Sequence, residues 1–124
     1  MPAEHTDKRY EEELKKLRED ILYMGGLVED QIRKAVSSLV DRDSQLAEMI
    51  IERDHEVNRL DVEIDELCIR LLALHQPAAR DLRFITTGLK ITTDLERIGD
   101  MAVNICERAL ELNHEPQLKP YIDI

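Results

Sequence analysis

"LHQPAARDL", residues 74 to 82, is the stretch that decides how this 124-residue chain folds. Pro77 has no backbone N–H and cannot continue a helix arriving from its N-terminal side, yet its fixed φ suits the first turn of a new one. One helix therefore ends near His75 and another begins near Ala78. With so short a connection the two must lie side by side and antiparallel. Upstream, Leu46, Met49, Ile50, Val57, Leu60, Ile64, Leu67, Cys68, Leu71 and Leu74 recur at helical spacing. Downstream, Phe84, Ile91, Leu95, Ile98, Ala102, Ile105 and Ala109 do the same. The spacing predicts helices over about 44–75 and 78–113.

"DRDS", residues 41 to 44, breaks the pattern on the upstream side, and Asp43 or Ser44 can cap the helix that follows by accepting a backbone N–H. Before it, Tyr10, Leu14, Leu17, Ile21, Met24, Val28, Ile32, Ala35 and Leu39 step by threes and fours. This is a coiled-coil-like seam on a helix over about 7–41. Gly25-Gly26 interrupts that helix, at about 1 kcal/mol each relative to alanine, so close backbone approach or a bend is expected there. Past Asn113, Pro116 and Pro120 end helix formation, and 114–124 reads as a linker or tail. Three helices of this length would each extend about 45–55 Å. The fold class is all-α: one domain over 1–124, an elongated antiparallel three-helix bundle with the outline of a spectrin repeat.

Composition agrees. Aromatics are scarce, with three Tyr, one Phe and no Trp, and 35% of residues are charged, as in long amphipathic helices. The formal charge of −10 disfavours nucleic acid and anionic lipid, and favours cations or a basic protein surface as partners. Cys68 and Cys106 stand far apart in apolar surroundings, with no CxxC and no secretory leader, as expected of reduced thiols in a cytoplasmic chain. No apolar run nears the roughly 18 residues that span a bilayer. Contact with a membrane is expected to be peripheral, through protein.

Within the third helix, "TDLERIGDMAVNICE" (Thr93–Glu107) gathers oxygen-bearing side chains. On a helical wheel Glu96, Asp100 and Asn104 fall within about 80° and point away from the apolar stripe. On the second helix Asp54, Asn58, Asp61 and Asp65 follow spacings of four, three and four. Folding about Pro77 brings Asp54 and Asn58 level with Asp100 and Glu96, on one outer surface. Two readings follow. One is a solvated acidic face, with Arg97 or Arg53 offsetting the repulsion. The other is a surface cation site, with Glu96 and Asp100 as its core ligands and Asp54, Asn58, Asp61 and Asn104 completing it. Paired acid–base catalysis wants an enclosed pocket, which an outward stripe does not provide. Two Glu-x-x-His pairs, Glu52/His55 and Glu111/His114, evoke di-iron bundles, but they lie off the apolar faces and about ten residues out of register.

"HQPAARDLRFITTGLKITTDLERIGDMAVNICERAL" (His75–Leu110), "ILYMGGLVEDQIRKAV" (Ile21–Val36) and "RDHEVNRLDVEID" (Arg53–Asp65) resemble segments of the PhoU family of phosphate-regulon regulators. The resemblance implies a three-helix bundle carrying an E(D)xxxD motif, matched here by Glu96 and Asp100, that binds metal at the surface: iron or another divalent cation. It implies no enzymatic activity. It implies a negative regulator acting between the phosphate ABC transporter and a sensor histidine kinase. The family pattern has a second bundle after "LKPYIDI"; without it, two copies are expected to pair as a homodimer. The alternative is a purely structural helical interaction module without metal.

Overall fold

The computed structural model describes residues 2–115, with side chains from Lys8 onward. Three helices make the whole fold of these residues: α1 (Pro2–Val40), α2 (Ser44–His75) and α3 (Ala79–Asn113). α1 begins several residues before the expected start near Asp7. The first apolar residue of a seam does not mark a helix end, and Pro2 at the first helical position lacks only an N–H that would go unbonded anyway. The residues assigned to a tail lie, beyond Glu115, outside the described residues.

Both turns are held by identifiable groups. Arg42 takes a left-handed conformation (φ 53°), and Asp41 and Asp43 N–H donate back to the Ser37 and Ser38 carbonyls. Asp43 is the cap of α2: its Oδ1 accepts from Leu46 N–H at 3.0 Å. The Arg42 guanidinium donates to the carbonyl oxygens of Leu112 and Glu115, and Asn113 Nδ2 donates to Ser44 Oγ at 2.8 Å, which fastens the end of α3 to this turn. At the other turn Gln76 (φ 45°) ends α2 and Leu82 N–H opens the α3 ladder on the Ala78 carbonyl.

α1 and α2 bury most of their apolar stripes, whereas α3 buries a different face. α3 turns inward Ile85, Gly88, Thr92, Gly99, Ala102, Cys106 and Ala109. Ile91 and Ile98, expected in the core, are 42% and 37% exposed. The buried face is rotated about 60° from the line of large residues. Close approach is the reason. A Cβ on Gly88 would sit 2.9 Å from Ile21 Cδ1, and one on Gly99 would sit 3.1 Å from Asp54 Oδ1 and 3.4 Å from Val57 Cγ1. Small residues let α3 nest against its neighbours, and the dispersion attraction between three closely spaced helices outweighs what a turned-in isoleucine would bury. In α1 the inward line is Met24, Val28, Gln31, Ala35 and Ser38, so two polar residues are fully buried while Ile32 and Leu39 are half-buried. In α2, Met49 and Leu74 point to solvent.

Candidate functional site

The rotation of α3 brings Glu96 off the outer surface and onto the edge of the α2–α3 contact, where it is half-buried. Asp54 goes further. It is buried, 8% exposed, under the bare backbone of Gly99, and its Oδ1 accepts from Gln31 Nε2 of α1 at 3.2 Å. The expectation that both acidic stripes are outward and solvated is therefore corrected for these two residues. Asp61 is half-buried, whereas Asn58, Asp100 and Asn104 are exposed. Asp61 and Asp65 line a shallow depression between α2 and α3, together with Thr92 and Thr93.

Crowding of carboxylates has an electrostatic consequence. Glu96 has its pKa pushed up to about 7, first by a hydrogen bond with Asp61, then by burial, then by the negative charges of Asp61, Asp100 and Asp54. Two carboxyl groups in contact cannot both ionise freely, so Glu96 keeps a proton and donates it to Asp61. The two arginines expected to relieve this crowding are engaged elsewhere. Arg97 pairs with Asp94 (4.0 Å) on its own helix. Arg53 pairs with Asp30 (2.9 Å), whose carboxylate Lys34 and Arg53 hold below the usual range. Neither takes the balancing part expected of it.

Among the described residues, no three His, Cys, Asp or Glu side chains converge closely enough to enclose a metal ion. Glu52 and His55 lie 3.8 Å apart on the exposed side of α2, and Glu111 is exposed like His114, so no di-iron arrangement forms among the described residues. The donor chemistry at Glu96 and Asp61 is nonetheless that of a hard-cation ligand pair, with a proton held where a cation would sit. Behind it Gln31 keeps its Oε1 buried without a partner. Sequence reasoning missed Gln31. The signal was present: the steps from Met24 through Val28, Gln31 and Ala35 to Ser38 are four, three, four, three, the seam spacing itself. Cys68 and Cys106 are free and buried, and burial pushes the Cys68 thiol up to about 11, so both are inert packing residues.

Fold and site together define a helical domain with a carboxylate cluster on its flank and, among the described residues, no enclosed cavity built around reacting groups. Residues 21–109 match the PhoU domain, and the chain belongs to that family. It is 43% identical over 121 residues to the phosphate-specific transport system accessory protein PhoU homolog of Pseudomonas putida, covering 97% of this chain and 47% of that protein. It is 42% identical over 117 residues to the phosphate-specific transport system accessory protein PhoU of Escherichia coli K12, covering 92% and 48%. The crystal structure of PhoU from Pseudomonas aeruginosa superposes with a TM-score of 0.86 at 44% identity, over 92% of this chain and 55% of that one. The chain thus spans about half the length of the curated relatives it matches. Those relatives carry the names of accessory proteins, not of enzymes. Among the described residues no helix is long and apolar enough to cross a membrane.

Proposed function

We propose that the chain regulates phosphate uptake and phosphate-regulon signalling as a cytoplasmic adaptor between a phosphate ABC transporter and a sensor histidine kinase. It performs no chemistry of its own, meets the membrane only through those proteins, and works as a homodimer. The observation that carries this reading is the match, at more than 40% identity over nearly the whole chain, to accessory proteins of the phosphate-specific transport system. Expression of the chain in a bacterium deleted for its own regulator of this kind tests it. Restored repression of phosphate-starvation genes at high phosphate is the expected result, and unchanged constitutive expression sinks the reading.

The same proposal includes a cation, iron or another divalent ion, held by Glu96 and Asp100 with Asp61 and Asp54 from α2 and water in the remaining positions. Asn58 and Asn104, both exposed, would complete it as neutral oxygen donors. Such an ion would replace the proton on Glu96 and relieve the repulsion around it. A second reading, a helical interaction module without metal, is favoured by the lack of three converging ligands among the described residues. Elemental analysis separates the two. The chain and its Glu96→Gln/Asp100→Asn variant, prepared side by side without chelator, are expected to differ in bound metal while keeping the same helicity. Equal metal content in both selects the second reading.

A further inference from the structure

The rotation that turned glycine, threonine and alanine inward on α3 left its large residues at the edge. Phe84, Ile91, Ile98, Ile105 and Leu112 stand at every seventh position, which is one straight line along a helix packed in a bundle. Tyr10, Arg18 and Ile21 of α1 pack against α3 through Asp81, Phe84 and Gly88, so this line borders the α1–α3 groove. Ile91, Ile98 and Leu112 keep 42%, 37% and 37% of their surface exposed, and Met101 beside them keeps 52%. Across the groove α1 exposes Leu22 (69%) and Val36 (46%). Ile21, Leu22, Gly88 and Ile91 line an apolar hollow at one end of it.

Gly26 has no purpose within the single chain. A Cβ there would meet nothing within 4 Å, and the residue is exposed. A glycine in mid-helix weakens the helix relative to alanine. Its neighbour Gly25 is nearly as free, with Leu95 Cδ1 at 4.0 Å as the nearest atom. A glycine with no internal contact to satisfy, Gly26, on the helix that bounds an exposed apolar line, fits the approach of another backbone from outside.

We infer that the α1–α3 face is where a second copy of this chain docks, about a two-fold axis; this rests on the homodimer proposed above and assigns its surface. The size of the face argues for a whole bundle. The line from Phe84 to Leu112 is about 42 Å long at 1.5 Å per residue. Two helices side by side are about 20 Å wide, so the face is about 800 Å², which is what each partner contributes to a stable interface. Two charge pairs flanking the face are already made within the chain, Arg33 with Glu29 at 3.1 Å and Arg97 with Asp94 at 4.0 Å, so docking strands no lone charge at these positions.

Sedimentation equilibrium of the 124-residue chain, over a concentration range reaching about 100 μM, tests this. The parent chain is expected to dimerise. Leu22→Glu with Met101→Glu should weaken the dimer at least about tenfold without lowering monomer helicity or its unfolding midpoint, since both side chains are solvent-exposed. Gly26→Leu should also weaken the dimer and leave the monomer folded, because the added side chain meets open space. Val62→Glu with Ile69→Glu, on the exposed side of α2, should change nothing. Dissociation by the α2 pair and not by the α1–α3 variants would leave the dimer standing and overturn the surface. A parent chain that stays monomeric throughout overturns both and leaves the face to a different protein.

Discussion

The half of the bundle next to the α2–α3 turn and the half next to the α1–α2 turn are packed by different means. The first is filled by large side chains: Leu17, Met24, Val28, Val57, Leu60, Ile64, Leu67, Leu71 and Ile85. The second has small residues at its centre, Ala35, Ala47, Ala102, Cys106 and Ala109, beside a fully buried Ile50, with larger half-buried side chains such as Ile32, Leu46 and Ile105 packed around them. Between them lies a polar layer, Gln31 on α1, Asp54 on α2 and Gly99 on α3. Burial of apolar area holds the first half, and close helix approach holds the second. The candidate site stands at the boundary because Gly99 there leaves room for the buried carboxylate of Asp54.

The contrast can be broken by substitution. Ile64→Ala should cost about 2–5 kcal/mol, through lost transfer energy and a cavity that rigid helices cannot close. Ala102→Gly, in the alanine half, should cost about 1 kcal/mol from helix propensity alone. Urea unfolding of both decides, and equal costs would erase the distinction between the halves.

Gly99→Leu tests the boundary layer. The added side chain has Asp54 and Val57 in its way, so a loss of about 1–3 kcal/mol is expected. A melting temperature equal to the parent's would show that α2 and α3 are not in tight contact there. Gly26→Ala should do the opposite, with a gain of about 0.5–1 kcal/mol in the monomer, since nothing opposes the Cβ and the helix becomes stiffer. A loss there would mean that the single chain does use the space.

The smallest expected effect is a response to pH. Glu96 holds its proton up to about pH 7 in the folded chain and releases it near 4.5 when unfolded. The folded state therefore binds more protons across this window, and the stabilisation present below pH 4.5 is lost as pH rises through 7. Unfolding midpoints at several pH values, compared with those of Glu96→Gln, should show a decline in the parent that the variant lacks. Parallel curves would separate Glu96 from Asp61.

Much of this was legible in the chain itself. The three helices, the turn at Pro77 and the Asp43 cap all follow from local rules about N–H groups, φ angles and spacing. Glu96 was found by the same spacing, which set it level with Asn58; that its hydrogen-bond partner on α2 is Asp61 was not. The burial of Asp54 and the part played by Gln31 were not found. A helical wheel weighs each residue by its own hydrophobicity, and by that measure Gln31 and Ser38 do not belong in a seam or Gly88 and Thr92 on a core face.

Helix number, order and most of the helix ends were determined by the sequence alone, because each depends on interactions within a few residues along the chain. Which face of α3 turns inward was decided only by tertiary structure. Three long helices are most stable lying close, and closeness selects the smallest side chains at the contact, Gly88, Gly99 and Ala102, over the most apolar ones. That choice buried Asp54, put Glu96 beside Asp61 and left Ile91 and Ile98 at the surface.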